Sequence, residues 1–88
     1  MGRYQVSPRA IGWAVKTHRT RPSIDLTGAA LASKAGIKYM RLANIEAGRV
    51  TVTDGELRVI EKVLRVKAGD ILALAKAGKP MVEASENA

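Results

Sequence analysis

The side chains best placed to do chemistry gather in one short stretch: a phenol at Tyr39, a thioether at Met40, methyls at Ala43 and Ala47, and a carboxamide at Asn44. They do not make the set of nucleophile, base and metal ligands that bond-making chemistry needs. What they share is a spacing. Leu42 and Ile45 recur on one side of a helix, and these five lie on the other. A short helix held by its back and presenting mixed polar and apolar groups is suited to the major groove of DNA. Base edges there offer donors, acceptors and thymine methyls.

Such a helix must be held by others. Residues 26–48 read LTGAALASKAGIKYMRLANIEAG, two short helices joined by a tight turn at Gly36. The first carries Leu31, Ala32 and Ala35 on one stripe, the second carries Leu42 and Ile45, and Ile37 sits in the turn. Thr27 is placed to cap the first, over about 28–35, and Gly48 to stop the second, over about 38–47. Upstream, Ser7-Pro8 is a helix start, and Ile11, Ala14, Val15 and His18 share a face as far as Arg19. Residues 20–25 form a loop broken by Pro22. Downstream, Thr53-Asp54-Gly55-Glu56 has capping-box spacing and opens a helix bearing Leu57, Ile60 and Leu64. A fifth helix begins near Ala68, carries Ile71, Leu74 and Ala75, and is expected to end before Gly78, since Pro80 blocks continuation. The organisation expected is an arm over 1–7, one domain over 8–78 and a flexible tail over 79–88. Val50–Thr53 is the single strand-like run and is too short for a sheet, so the class is all-α.

Composition bounds what this domain can be. Residues 1–50 hold nine Lys or Arg against Asp25 and Glu46, while residues 51–88 hold six against six acids, so the whole +7 excess lies with the two-helix unit. A basic surface is the footprint of a polyanion partner. With three aromatic residues and no Phe, the chain lacks the stacking platforms of a single-strand binder. It has no cysteine and one histidine, so no metal site, no cofactor site and no catalytic centre is evident, and an enzyme is not expected. No small-molecule ligand is evident either. No apolar run spans a membrane and no signal segment opens the chain, which points to a soluble, cytoplasmic protein.

The stretches LTGAALASKAGI, LANIEAG and GELRVIEKVLRV, in this order and spacing, resemble the lambda-repressor-like, Cro/C1-type helix-turn-helix family. The resemblance covers about Ile11 to Leu74. It implies a compact five-helix domain with the motif at helices two and three, and a transcriptional regulator that binds double-stranded DNA. Compact controller proteins of restriction–modification systems and mobile-element repressors have about this length. The chain departs from the pattern at Gly28, where Gln is common, and at Lys38, where Ser or Thr is common; the loop between helices one and two is longer by two residues.

By that resemblance, Tyr39, Met40, Ala43 and Asn44 meet bases. Asn44 is suited to pair with adenine N6 and N7, worth roughly 1–3 kcal/mol of discrimination, and Met40 and Ala43 to pack on a thymine methyl. Arg19, Arg21, Thr27, Gly28, Lys34, Lys38 and Arg49 are the expected phosphate contacts. Arg41 is expected to reach a phosphate or an acid, and Glu46 to make an internal polar contact. His18 reads as a packed side chain. Trp13 covers the core edge or joins a partner; the sequence leaves this open. Val59, Val63, Val66 and Leu72 fall off the main apolar stripes, and the surplus suggests a homodimer joined there. The competing reading is an antitoxin or anti-activator that masks a protein partner, which has no general need of a basic N-terminal half.

Overall fold

Three of the helix starts are written in single side chains. The Ser7 hydroxyl accepts from the Ala10 amide at 3.1 Å and Pro8 follows it, while Thr27 accepts from Ala30 at 3.0 Å. Thr53 and Glu56 close a reciprocal capping box, with Glu56 N–H donating to the Thr53 hydroxyl at 3.1 Å and Thr53 N–H to the Glu56 carboxylate at 2.9 Å. Each cap satisfies amides that a helix end leaves without partners. The resulting order is α1 (Pro8–Arg19), α2 (Gly28–Ala35), α3 (Tyr39–Glu46), α4 (Asp54–Leu64) and α5 (Asp70–Asn87). The computed structural model describes residues 6–87, with side chains described through residue 78. Among them there is no strand, residues 49–53 are loop, and no helix is long and apolar enough to cross a membrane.

The expected stripes meet in one core. Ile11, Val15, Leu31, Leu42, Ile45, Ile60, Leu64 and Ile71 are all but fully enclosed, and Ala14, Ala32, Leu57 and Ala75 join them. Ala35 and Leu74 are only half-buried. Two residues outside the expected helices also enter: Val52 from the loop before α4, and Val6. Val6 stands just before the Ser7 cap and Ile11 is the fourth helical residue, the spacing of a hydrophobic staple. The end of the expected arm is therefore core, while residues 1–5 lie outside the described residues.

The expected stop of α5 is corrected. The helix starts at Asp70 and its backbone runs on past Gly78 and Pro80 to Asn87. Gly78 is a packing site: a Cβ there would overlap the Trp13 ring on α1. That contact also settles Trp13, which covers the core edge against α5. Pro80 lies inside this helix and, having no N–H, cannot donate its helical hydrogen bond. The side chains of the expected tail, 79–88, lie outside the described residues.

Candidate nucleic-acid interface

Two glycines and two ion pairs set the pose of α3. Gly12 sits where α1 meets the end of α3, and a Cβ there would collide with the carbonyl oxygens of Ile45 and Glu46. Gly48 ends the helix with φ +77°, a left-handed conformation that glycine takes without steric cost, with the Arg9 backbone and Cγ packed against it. At the same end Arg19 Nε donates to Glu46 Oε2 at 2.8 Å and Nη2 to Oε1 at 2.9 Å; Nη1 donates to the Leu26 carbonyl at 2.9 Å. Both side chains keep only 12% exposure, and the Glu46 hydrogen bond is the main reason the Arg19 guanidinium is held above its usual range.

At the other end Arg41 makes a second forked pair. Its Nε and Nη2 donate to the two Glu56 oxygens at 2.8 Å each, and Nη2 also reaches the Thr51 carbonyl at 3.1 Å. This pair is wetter, at 34% and 20% exposure. The Arg41 hydrogen bond, helped by the Thr53 amide and opposed by burial, holds the Glu56 carboxyl down at about 2. Of the two partners the sequence allowed Arg41, the fold supplies the acid; Glu46 makes the internal contact expected of it.

With Leu42 and Ile45 buried behind, α3 turns its other side outward. Tyr39 is 57% exposed and Met40 68%, Ala43 and Asn44 are half-buried, and Ala47 is exposed. The Asn44 Oδ1 accepts from Arg49 Nη1 at 3.4 Å, so its carboxamide is only lightly held. Lys38, at the cap position, gives no side-chain bond to the first turn, whose amides stay open. Tyr39 Cε1 lies 3.5 Å from where a Cβ on Gly28 would stand, an ordinary van der Waals distance that puts the phenol ring beside the first residue of α2. The starts of α2 and α3 are thus side by side.

The seven expected phosphate contacts divide. Thr27, Gly28, Lys38 and Arg49 border α3. Arg19 donates from all three of its side-chain nitrogens to Glu46 and the Leu26 carbonyl, 27 and seven residues away in sequence, a pairing no local pattern announces. Arg21 and Lys34 line a groove together with Arg65, and no residue of α3 lines that groove. Of the expected dimer residues, Val63, Val66 and Leu72 are half-buried against the core and Val59 remains 39% exposed.

His18 is enclosed, and neither ring nitrogen finds a hydrogen-bond partner among the described residues. Burial, with help from Arg21, pushes its pKa below the usual value, while the backbone and carboxylate of Asp70 and the Glu61 carboxylate pull the other way. Glu61 is itself buried and accepts from the Gly69 amide at 2.8 Å. His18 is a packed ring, and no cluster among the described residues has the makings of a metal site.

No family model matches the chain and no curated protein matches it. Solved structures do. The clp gene regulator ClgR from Corynebacterium glutamicum superposes with a TM-score of 0.81 at 24% identity, over 91% of this chain and 83% of that one. A second structure of that regulator gives 0.74 at 24%, over 81% and 90%. The restriction-modification controller protein C.AhdI from Aeromonas hydrophila gives 0.68 at 17%, over 73% and 94%. At these identities the likeness speaks to the fold, and the fold is the five-helix, lambda-repressor-like arrangement with its helix-turn-helix at α2 and α3.

Proposed function

We propose that this chain is a sequence-specific, double-stranded-DNA-binding transcriptional regulator that lays α3 in the major groove. One observation carries the reading: a short helix, fastened by a forked ion pair at each end, turns Tyr39, Met40, Ala43 and Asn44 outward between Lys38 and Arg49. Asn44 and the apolar pair Met40 and Ala43 read base edges. The open amides at the start of α3, with Lys38 and Arg49, take phosphates. The regulators of similar fold, ClgR and C.AhdI, lend support.

One such helix reads only a few base pairs, so the operator is a palindrome bound by a homodimer, with the two α3 helices about 34–36 Å apart. Val59 is the most open of the apolar groups available for the joint, with Val63, Val66 and Leu72 behind it. The test is selection from a random duplex library, followed by titration of the enriched and a scrambled duplex at one salt concentration. A regulator enriches a two-fold sequence and prefers it by at least about 10³. Asn44→Ala then loses discrimination at one position per half-site while binding to scrambled DNA is nearly retained. No enrichment, or equal loss on both duplexes, overturns the reading and leaves the masking of a protein partner as its successor.

A further inference from the structure

The groove between the 21–26 loop, the end of α2 and the end of α4 is separate from the face of α3. It is a half-open groove of about 510 Å³, within the about 300–1,000 Å³ typical of small-ligand sites. Arg21, Lys34 and Arg65 line it together with apolar Leu26, Val63 and Val66, and no acidic side chain does. Among the described residues none of the three cations makes a side-chain hydrogen bond or an ion pair. All three lie near helix C-termini, where cations are favoured: Arg21 just past α1, Lys34 in the last turn of α2 and Arg65 at the cap of α4. Each helix end supplies roughly half a negative charge, so an excess of about one and a half positive charges remains.

Arg65 caps α4 with φ +59°, a left-handed backbone that a residue with a Cβ adopts at a cost and a glycine does not. Glycine at 65 would therefore remove the side chain from the groove without loss of backbone fit.

We infer that this groove binds a small organic anion with an apolar body, a carboxylate of medium chain length being its simplest form. The apolar floor receives the hydrocarbon, and the guanidinium groups of Arg21 and Arg65 take the carboxylate by charge-assisted hydrogen bonds, which Arg forms in forked geometry. Val63 and Val66 are shared with the proposed dimer joint, but a two-fold contact seated in the groove itself would bring the two cation sets together, so the joint stays on the Val59 side of α4 and the groove stays open. Duplex phosphates would leave the apolar floor unused. Leu26 links the groove to the rest of the molecule, since its carbonyl accepts from Arg19, the partner of Glu46 at the end of α3. The inference concerns binding and does not depend on the DNA reading.

The experiment is a titration of the full chain with octanoate, followed by amide resonances, with acetate as charge without body and octanol as body without charge. Expected is saturable one-to-one binding, with shifts centred on Ile24, Leu26, Val63 and Val66, and binding of acetate and octanol weaker by at least about tenfold. Arg65→Gly should melt no lower than the wild type, because the strained position is relieved, yet bind octanoate about tenfold more weakly. Arg21→Gln should weaken it similarly. The inference is overturned by absence of saturation, by shifts centred on Tyr39 and Met40, by octanol binding as well as octanoate, or by an Arg65→Gly affinity equal to wild type. It is also overturned if the resonances of Ile24 and Leu26, which line the groove but not the proposed dimer joint, move with protein concentration alone, which would make the occupant a second copy.

Discussion

The two ends of α3 are fastened by the same chemistry in different surroundings. At its C-terminal end the Arg19–Glu46 fork is nearly out of water and Gly12 brings the α1 backbone against the last carbonyls. At its N-terminal end the Arg41–Glu56 fork is wetter, Lys38 provides no cap, and Tyr39 and Met40 stand in solvent. Breaking a pair costs most where the abandoned partner cannot be rehydrated. Where water reaches both groups, the pair contributes little. The contrast therefore describes a helix with an anchored heel and a lightly held toe. The toe is the end that would have to settle into a groove.

The heel can be broken most severely at Gly12. Valine there would drive a branched side chain into the Ile45 and Glu46 carbonyls, which belong to backbone and cannot swing aside. A loss of more than about 3 kcal/mol is expected, the upper range of overpacking. Thermal melting of Gly12→Val decides it; a melting temperature within a few degrees of wild type would mean that the α1–α3 approach is slack.

The forks themselves sharpen the comparison. Glu46→Gln keeps the shape and one acceptor but leaves Arg19 charged in a nearly dry place, so about 2–3 kcal/mol should be lost. Glu56→Gln keeps a capping box, which Gln supports, and removes only a charge shared with solvent, so about 1 kcal/mol is expected. Urea titration of both variants gives the ratio, and equal losses would erase the distinction between heel and toe. The second variant also carries a pH signature. Folding lowers the Glu56 pKa from its ordinary 4.5 to about 2, a shift that solvent around this wetter pair discounts to the about 1 kcal/mol expected above; that stability is fully present above 4.5 and fades as pH falls toward 2. Wild type and Glu56→Gln should accordingly differ at pH 7 and converge near pH 2.

What could be read in the sequence, and what could not, follows the range of the interactions involved. Ser7, Thr27, Thr53, Gly36 and Gly48 announce helix ends because capping is settled within a few residues. The stripes on α1 to α4 announce the core because burial has the helical period. Gly78 misleads for a related reason: a glycine near a helix end looks the same whether it stops the helix or admits Trp13 from another one. Gly12 gives no local sign of its task. Arg19, next to a loop rich in cations, gives no sign that Glu46 waits 27 residues on. The groove is the extreme case, since Arg21, Lys34 and Arg65 come from three elements and meet only in the folded chain. The set on α3 was legible because a single helix presents all of it.

The smallest expected effect separates the cations that border α3 from those that do not. Each phosphate contact releases counterions, and its removal lowers the salt dependence of binding by about one unit of slope. Lys38 and Arg49 flank the two ends of α3, so replacing both with alanine should lower the slope by about two. Arg21 and Lys34 line the groove beside Arg65, which no residue of α3 enters, so their double replacement should leave the slope nearly unchanged although it removes the same net charge. The matched charge is the point of the pairing. If only total charge matters, both doubles weaken binding alike at low salt and shift the slope alike. If contacts matter, the affinities diverge at low salt and approach one another as salt rises and the phosphate contribution is screened. Equal slopes for the two doubles would deny α3 its flanking contacts and count against its seat in the groove of the duplex.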